Sequence, residues 1–313
     1  MFLKYFTILS TIATTTVLCE ERKASTKESL GKFHAQLTIV NGYPATVGQI
    51  PYFVSIKEPV RRYNSERMLW KNLCGGSIIS VNKVLTAAHC FEVYNYKYLR
   101  EPSALRVVAG NIRNFILHSG SEVTEPENQW RAILRIVLHA YFSFPKNDIA
   151  LVFVRNWVYG DYISYVVPAN VTKDYDGPCH AVGFGMIGHG MTETASHVLL
   201  VASIEVMERW RCSVLWSVNM DAHVCSDSSL TDVARGDSGG PLVCKGTGDP
   251  AEVPGKDLLV GVVSGKSFDK TTLYTRVSAH KDWIQRDAAT KFTSSFYLTL
   301  VICLFRLYDV YGI

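Results

Sequence analysis

Short apolar runs separated by turn residues recur along most of this chain, and they constrain its fold more than any other feature. Gly, Asp and Asn, residue types that favour turns, lie between the runs. Many short strands divided by turns favour an all-β fold over one in which strands and helices alternate. The predicted strands are 51–56, 74–79, 83–86, 104–109, 132–138, 149–154, 180–182, 197–206, 241–243 and 258–263.

Two other segments carry different predictions. Residues 58–71 are rich in arginine and lysine, which predicts a solvated loop, with a binding surface for acidic partners as the alternative. Ser278 can cap a short helix that runs through Trp283 and Ile284 to about Ala288.

The chain is long enough to bury a sizeable core. Its 313 residues, 48% of them hydrophobic, fit one large domain or two tightly joined halves. The formal net charge of +4 is too small to indicate a nucleic-acid partner.

The N-terminus has the pattern of a secretory signal peptide. Lys4 gives a positive start, residues 5–18 are apolar apart from threonines and one serine, and the prediction is cleavage near Cys19. A buried helix is the weaker alternative, because 14–16 is a run of threonines. The polar residues 20–38 that follow are predicted to be a propeptide or a flexible leader.

The C-terminal tail contains a second apolar run. Residues 296–305 are too short to span a bilayer, and Arg306 and Asp309 interrupt any extension. Small residues before this run are compatible with a lipid-anchor signal. A tail that packs on the body or associates loosely with a membrane is the open alternative.

Six of the eight cysteines lie in the body of the chain. Cys19 would leave with the signal peptide, and Cys303 lies in the tail. An even number of cysteines in a secreted chain predicts disulfides, with 15 connectivities open from the spacing. No C-x-x-C or H-E-x-x-H spacing occurs, so no metal site is predicted. Asn170 begins the one glycosylation acceptor, Asn-Val-Thr.

The string GDSGGP at 236–241 predicts a tight turn that presents a hydroxyl group. Its glycines permit backbone conformations that other residues avoid. Such a turn can aim the Ser238 oxygen and the N–H groups of Gly236 and Ser238 at one point, which builds a nucleophile and an oxyanion hole together. A Gly/Pro surface turn that happens to contain serine is the alternative.

A nucleophilic serine also requires a base and a group that orients the base. His89 follows a predicted strand and stands beside Cys90, although a single histidine is more often structural. Asp148 directly precedes a buried strand, where a desolvated carboxylate would need a partner such as an imidazole. Its alternative role is that of a turn residue which starts the strand.

Four strings now stand in order along the chain: IVNG at 39–42, LTAAHC at 85–90, DIAL at 148–151 and GDSGGP at 236–241. Together they resemble the chymotrypsin/trypsin family of serine proteases, from about Ile39 to about Ala288. One such string is weak evidence, whereas four in order are specific. The resemblance implies two antiparallel Greek-key β-barrels with a short C-terminal helix.

The resemblance also implies roles for individual residues. Ser238 would be the nucleophile and His89 its base, while Asp148 would orient the imidazole. The N–H groups of Gly236 and Ser238 would bind the oxyanion, and Ser264, counted with the substrate-binding residues, would support the aspartate. The family's cysteine pattern implies the pairs Cys74–Cys90, Cys179–Cys244 and Cys212–Cys225.

Members of the family are made as zymogens. Cleavage before Ile39 would free an α-amino group that folds inward and pairs with Asp237. The residue before this bond is Thr38, where most relatives have Arg or Lys. A trypsin-like activator is therefore disfavoured.

The residues of the specificity pocket depart from the family pattern. Asp232 stands where trypsin-like members bind Arg or Lys of the substrate, and it narrowly favours that preference here. Two departures argue against a preference for Arg or Lys. Ala234 replaces the usual cysteine, and Ser264 is followed by Gly265 and Lys266 without the usual tryptophan. Thr272, at a position where trypsins have glycine, would narrow the pocket.

These observations predict a secreted serine endopeptidase with a signal peptide at 1–19, a propeptide at 20–38, a protease domain at 39–290 and a tail at 291–313. Its partners would be a polypeptide substrate, an activating protease and a protein inhibitor, with membrane association through the tail left open. No cofactor is predicted, since Asn111 stands near the place where a calcium-loop carboxylate would be expected. A protease-shaped binding or regulatory protein with little activity is the alternative, to which the altered pocket and the Thr38 junction give weight.

Overall fold

Strands dominate the part of the chain that the computed structural model describes, which is residues 42–187, 194–217, 219–227, 236–266 and 271–286. All of these residues belong to one contact unit, Gln36–Ile313. The predicted signal peptide, propeptide and tail lie outside the described residues.

The described strands, in chain order, are as follows. The first nine are β1 (Tyr43–Pro44), β2 (Phe53–Arg62), β3 (Met68–Ser80), β4 (Lys83–Thr86), β5 (Arg106–Ala109), β6 (Ile116–His118), β7 (Val123–Glu125), β8 (Asn128–Leu138) and β9 (Ala150–Val154). The others are β10 (Val167–Pro168), β11 (Cys179–Gly183), β12 (Met186–Ile187), β13 (Thr194–Ala195), β14 (Leu200–Ile204), β15 (Val206–Met207), β16 (His223–Ser226), β17 (Pro241–Cys244), β18 (Leu258–Lys266) and β19 (Thr272–Arg276). Helices α1 (Val93–Arg100) and α2 (Arg209–Trp216) and the 3-10 turns His89–Phe91, Pro102–Ala104 and Ser278–His280 lie between or after them.

The first half of the described chain forms a closed antiparallel barrel. The strand order is β2-β5-β8-β9-β4-β3, and β3 pairs back onto β2, which completes the ring. Strand β6 adds to β3, and β7 adds to β8. Every residue of β9 is buried, as expected for a short continuous apolar run in the centre of a fold.

The second half forms a second barrel. Its strand order is β14-β11-β17-β18-β19-β16-β15. Only Glu205 separates β14 from β15, so one stretch of chain pairs with β11 at its start and with β16 at its end. That stretch therefore connects the two ends of this strand order, and β1 adds to β14 outside it.

Each barrel has its own apolar core. The first contains side chains such as Val54, Ile78, Leu85 and Val152, and Ile284 packs against it from the C-terminal segment. The second is built around side chains of β11, β14, β17, β18 and β19. The prediction of an all-β fold with two antiparallel barrels and a short C-terminal helix is confirmed.

The predicted loop at 58–71 is wrong for most of its length. Strand β2 continues to Arg62 and β3 begins at Met68, so the turn is confined to residues 63–67. Charged residues fit this ladder because they pair across it. Glu58 and Lys71 are direct cross-strand neighbours, and Lys71 Nζ lies 3.0 Å from Glu58 Oε1.

The predicted cap of the C-terminal helix is also wrong. Ser278 is the first residue of a 3-10 turn whose N-cap position is Val277, and no side chain caps it. The Ser278 hydroxyl lies 3.3 Å from the Thr172 hydroxyl instead. Residues 281–286 are helical, and Ala288 lies beyond the described residues.

Candidate active site

The pairing of β4 with β9 brings His89 and Asp148 together. The two strands are antiparallel, and Thr86 at the end of β4 is opposite Ala150 at the start of β9. The residues just after β4 and just before β9 must therefore meet. His89 begins the 3-10 turn that follows β4, and Asp148 precedes β9 by two positions.

The Asp148 carboxylate is fully buried and well supplied with hydrogen-bond donors. The His89 backbone N–H donates to Oδ1 over 2.8 Å, and His89 Nδ1 lies 2.7 Å from Oδ2. Ser264, from β18 of the second barrel, donates its hydroxyl to Oδ2 over 2.5 Å. Thr275 donates its hydroxyl to the Asp148 backbone carbonyl over 2.8 Å. A buried carboxylate is stable as an anion only with such partners.

This arrangement selects one tautomer of the imidazole. A proton on His89 Nδ1 can be donated to Asp148 Oδ2, which leaves Nε2 as a proton acceptor. The His89 side chain is 21% exposed, so its free edge reaches the surface of the cleft. The geometry suits general base catalysis on a hydroxyl placed beside that edge.

The turn that carries Ser238 is anchored to both barrels. Gly75 of β3 donates its N–H to the Ser238 carbonyl over 2.8 Å, and Gly239 donates its N–H to the Val263 carbonyl over 2.8 Å. Gly236 has φ = +106°, a conformation that L residues rarely adopt. A Cβ at Gly239 would overlap the Thr86 hydroxyl. The glycines of the GDSGGP string are thus required by the backbone and by close packing.

Asp237 is the second fully buried carboxylate near this turn. Its Oδ1 accepts the Gly185 N–H over 2.7 Å. A Cβ at Gly183 or Gly185 would overlap the Asp237 carboxylate, so two glycines wall it in closely. Ile39, its predicted partner, lies outside the described residues.

Part of the predicted specificity pocket is described. Ser264 is buried, and Thr272 is fully buried in β19, opposite Ser226 of β16 and Lys266 of β18. Asp232 and Ala234 lie outside the described residues.

The six body cysteines form three disulfides. The pairs are Cys74–Cys90, Cys179–Cys244 and Cys212–Cys225, the same pairs that the resemblance implies. Within the described ranges, one group of side chains, Cys74, His89 and Cys90, has metal-binding spacing. Its two sulfurs are joined to each other and offer no thiolate to a metal.

Phe144 is a neighbour of His89 that sequence reasoning missed. The two rings pack edge to face with centroids 5.8 Å apart, and Phe144 is about half exposed to solvent. A Cβ at Gly265 would come within 2.7 Å of Phe144 Cζ. The absence of the usual tryptophan after Ser264 was the sequence signal that some other side chain fills this space.

Three histidines support the segment that leads to Asp148. His223 donates its Nε2–H to the Pro145 carbonyl over 3.1 Å, and His280 Nε2 lies 3.2 Å from Asn147 Oδ1. The His139 and His280 rings pack edge to face at 5.5 Å. Burial lowers the pKa of all three histidines below the usual value. All three rings are therefore mostly neutral at pH 7.

The Asn170 side chain, the predicted glycosylation acceptor, is exposed. No helix in the described ranges is long and apolar enough to cross a membrane.

Comparison with known proteins agrees with this geometry. The family profile described as Trypsin matches residues 39–284. Transmembrane protease serine 9 of Rattus norvegicus is 29% identical over 258 residues, which cover 79% of this chain and 22% of that protein. Proproteinase E of Bos taurus is 29% identical over 224 residues, covering 69% and 84% of the two chains. The venom peptide isomerase heavy chain of Agelenopsis aperta is 27% identical over 267 residues, covering 80% and 99%.

Proposed function

The chain belongs to the trypsin family of serine proteases, and from that premise we propose that it is a secreted serine endopeptidase that works through an acyl-enzyme. The observation that carries the proposal is the buried Asp148 carboxylate, which receives hydrogen bonds from His89 and from Ser264 of the opposite barrel. Such convergence of donors on one anion beside a partly exposed imidazole is the arrangement that general base catalysis on a serine hydroxyl requires.

In the proposed reaction Ser238 attacks the scissile carbonyl and His89 Nε2 takes its proton. Asp148 stabilises the imidazolium that results, and His89 then returns the proton to the leaving amine. The N–H groups of Gly236 and Ser238 bind the developing oxyanion, each worth about 3 kcal/mol of transition-state stabilisation. Water repeats the sequence on the acyl-enzyme and releases the second product.

Activation by cleavage after Thr38 is part of the proposal. The new α-amino group of Ile39 would pair with Asp237. The full burial of that carboxylate supports this step, because a buried charge is strongly destabilising unless a partner compensates it. Asp232 would favour substrates with Arg or Lys before the cleaved bond.

A binding or regulatory protein with little activity is the second candidate. The observation that favours it is Phe144, whose half-exposed ring occupies the cleft beside His89. A ring in that place narrows the path by which a peptide would reach the imidazole.

A fluorophosphonate probe on protein cut at Thr38–Ile39 tests the enzyme against the second candidate. Labelling of the wild type, lost in Ser238→Ala and kept in Ser65→Ala, is the expected result. Ser65 lies exposed at the tip of the β2–β3 hairpin and serves as the matched control. An unlabelled wild type would rule out the enzyme.

A peptide library then tests the proposed substrate preference. Cleavage after Arg or Lys that is lost in Asp232→Ser supports the role of Asp232. Cleavage after small or apolar residues, unchanged by that substitution, contradicts it.

A further inference from the structure

Asn72 connects the first barrel to the turn that carries Ser238. It lies in β3 and donates its Nδ2–H to the Gly236 carbonyl over 3.1 Å, across 164 positions of sequence. Ser55 of β2 donates its hydroxyl to Asn72 Oδ1 over 2.6 Å. Because Oδ1 is engaged by this donor, the NH₂ side of the amide must face Gly236.

The backbone of Asn72 is fixed as well. Its N–H donates to Asn114 Oδ1 over 3.0 Å, and Asn114 Nδ2 donates to the Ser196 carbonyl over 2.8 Å. Asn72 is therefore held at two points: Ser55 binds its side-chain amide, and Asn114 binds its backbone N–H. A donor with so little freedom can select one orientation of its acceptor.

Gly236 needs such an external contact. With φ = +106° and no Cβ, it can reach backbone conformations that are closed to other residues, so its own sequence does not specify the orientation of its peptides. In the described part of the chain, Asn72 is the donor found for the Gly236 carbonyl. This carbonyl belongs to the peptide between Gly236 and Asp237, and the peptides on either side of it carry the proposed oxyanion donors, the N–H groups of Gly236 and Ser238. Rotation of the middle peptide changes the torsion angles at both of its ends and so changes the directions of those N–H groups relative to each other.

Other contacts hold the same turn in place without setting the Gly236 carbonyl. Gly75 N–H reaches the Ser238 carbonyl, and Gly185 N–H reaches the Asp237 carboxylate. Loss of the Asn72 amide should thus leave the fold intact while it frees one carbonyl. If Asn72 has a positioning role, its loss should impair catalysis without unfolding the protein; if its role is only structural, its loss should lower stability.

We propose that Asn72 is a positioning residue which fixes the orientation of the Gly236 carbonyl, and with it the peptide between Gly236 and Asp237, and so keeps the N–H groups of Gly236 and Ser238 aimed at one point. The inference rests on the proposed function, since it concerns the same acyl-transfer site. Asn72 acts through Gly236 and touches no reacting atom.

The test is a graded series of variants in the protein cut at Thr38–Ile39. Asn72→Leu removes the donor, Asn72→Asp replaces it with an acceptor, Ser55→Ala removes the orienting hydroxyl, and Asn72→Gln keeps an amide. The readouts are kcat and KM on a peptide substrate, and the affinities for a peptide aldehyde and for the matching peptide alcohol. The aldehyde forms a hemiacetal whose oxygen needs the oxyanion donors, whereas the alcohol does not.

We expect kcat to fall about 10- to 100-fold in Asn72→Leu and further in Asn72→Asp, since removal of a whole oxyanion donor costs about 10²- to 10³-fold. Aldehyde affinity should fall by the same factor, with KM and alcohol affinity within about twofold of the wild type. Ser55→Ala should be intermediate, and Asn72→Gln should recover part of the loss.

Three outcomes would overturn the inference. Wild-type kcat in Asn72→Leu is one, and equal losses of aldehyde and alcohol affinity are another. The third is a wild type that the fluorophosphonate does not label, which removes the proposed function together with the inference. If Asn72→Leu does not fold, as judged by circular dichroism, Ser55→Ala and Asn72→Gln give the same comparison.

Discussion

Asp148 and Asp237 are both fully buried, yet the protein satisfies them in different ways. Asp148 is surrounded by side chains and backbone from both barrels, and its hydroxyl and imidazole partners come from three distant parts of the sequence. The Asp237 carboxylate accepts the Gly185 N–H, and Gly183 and Gly185 pack directly against it. The first site is built of donor groups that can be deleted one by one, whereas the second depends on the close approach of two glycines.

This difference fits the roles that we propose for the two carboxylates. Asp148 must stay an anion while a proton moves on and off the neighbouring imidazole, so several donors share its charge. Asp237 would pair with a newly formed ammonium group, at a site where Gly183 and Gly185 pack directly against its carboxylate. Substitutions that add volume should therefore damage the Asp237 site most, and substitutions that delete a donor should damage the Asp148 site by smaller steps.

The largest effect is expected for Gly185→Ala. Its Cβ would overlap the Asp237 carboxylate, with 2.8 Å to Cγ, so the anion or the backbone must move. We expect the free energy of unfolding to fall by about 3 kcal/mol or more, measured by urea denaturation. Gly160→Ala is the matched control, because no heavy atom lies within 4 Å of its Cβ position. Equal unfolding free energies for the two variants would show that Gly185 does not pack closely against the Asp237 carboxylate.

Lys57 adds a buried basic group to this comparison of two buried carboxylates, and it contacts Phe184, the residue between the two glycines that pack against Asp237. Its Nζ donates to the Arg113 and Asn114 carbonyls over 3.0 and 2.6 Å and lies 5.4 Å from the Phe184 ring. Burial lowers the pKa of Lys57 from 10.5 to about 7. Two carbonyls thus replace the carboxylate that a buried ammonium would ordinarily require.

The pH dependence of stability tests this description of Lys57. Above pH 7 the folded protein releases the Lys57 proton, while the unfolded chain keeps it until about pH 10.5, so the folded state gains stability as the pH rises between these values. Relative to Lys57→Met, the wild type should gain about 2 kcal/mol in unfolding free energy from pH 7 to pH 9. Other titrating groups are common to both proteins and cancel. Parallel pH profiles for the two proteins would mean that Lys57 keeps an ordinary pKa in the fold.

His89 and Asp148 can be predicted from the sequence, whereas the residues that surround them cannot. His89 and Asp148 each stand at the boundary of a short buried strand, so local patterns mark them. Thr275 reaches the same site from β19 of the other barrel, and Phe144 reaches it from the segment after β8, more than fifty residues from His89. No local pattern marks contacts between residues so far apart in the sequence. Asp237 lies within the GDSGGP string, but its glycine walls at Gly183 and Gly185 are separated from it by about fifty residues.

The extent of β2 and β3 was harder to predict, because the local pattern of residues 58–71 indicates a loop. The charged side chains in this segment predict a solvated loop if their cross-strand partners are not known. In the structure Glu58 accepts the Tyr98 hydroxyl over 2.8 Å and pairs with Lys71 across the ladder, so the charge supports the strand. A prediction of this kind requires the pairing register, which a single sequence does not contain.

A smaller effect is expected when one donor to the Asp148 carboxylate is deleted. Ser264→Ala removes the hydroxyl that reaches Oδ2 and leaves both hydrogen bonds from His89 in place. The loss of one hydrogen bond to a charged group should lower kcat/KM about tenfold. Kinetics on a peptide substrate measure it, with Ser65→Ala as the control. A loss as large as that of Ser238→Ala would mean that the donors to Asp148 are not exchangeable one by one.

The smallest effect is expected at Thr275, which supports the backbone of Asp148 rather than its carboxylate. Thr275→Val keeps the shape of the side chain but removes the hydroxyl that donates to the Asp148 carbonyl over 2.8 Å. We expect the unfolding free energy to fall by about 1 kcal/mol, with kcat/KM within about twofold of the wild type. Thr275→Ser keeps the hydroxyl, so the part of the unfolding free energy that this hydrogen bond contributes should be retained in that variant. A larger loss of kcat/KM than in Ser264→Ala would show that the position of the Asp148 backbone, and not the number of donors to its carboxylate, limits the reaction.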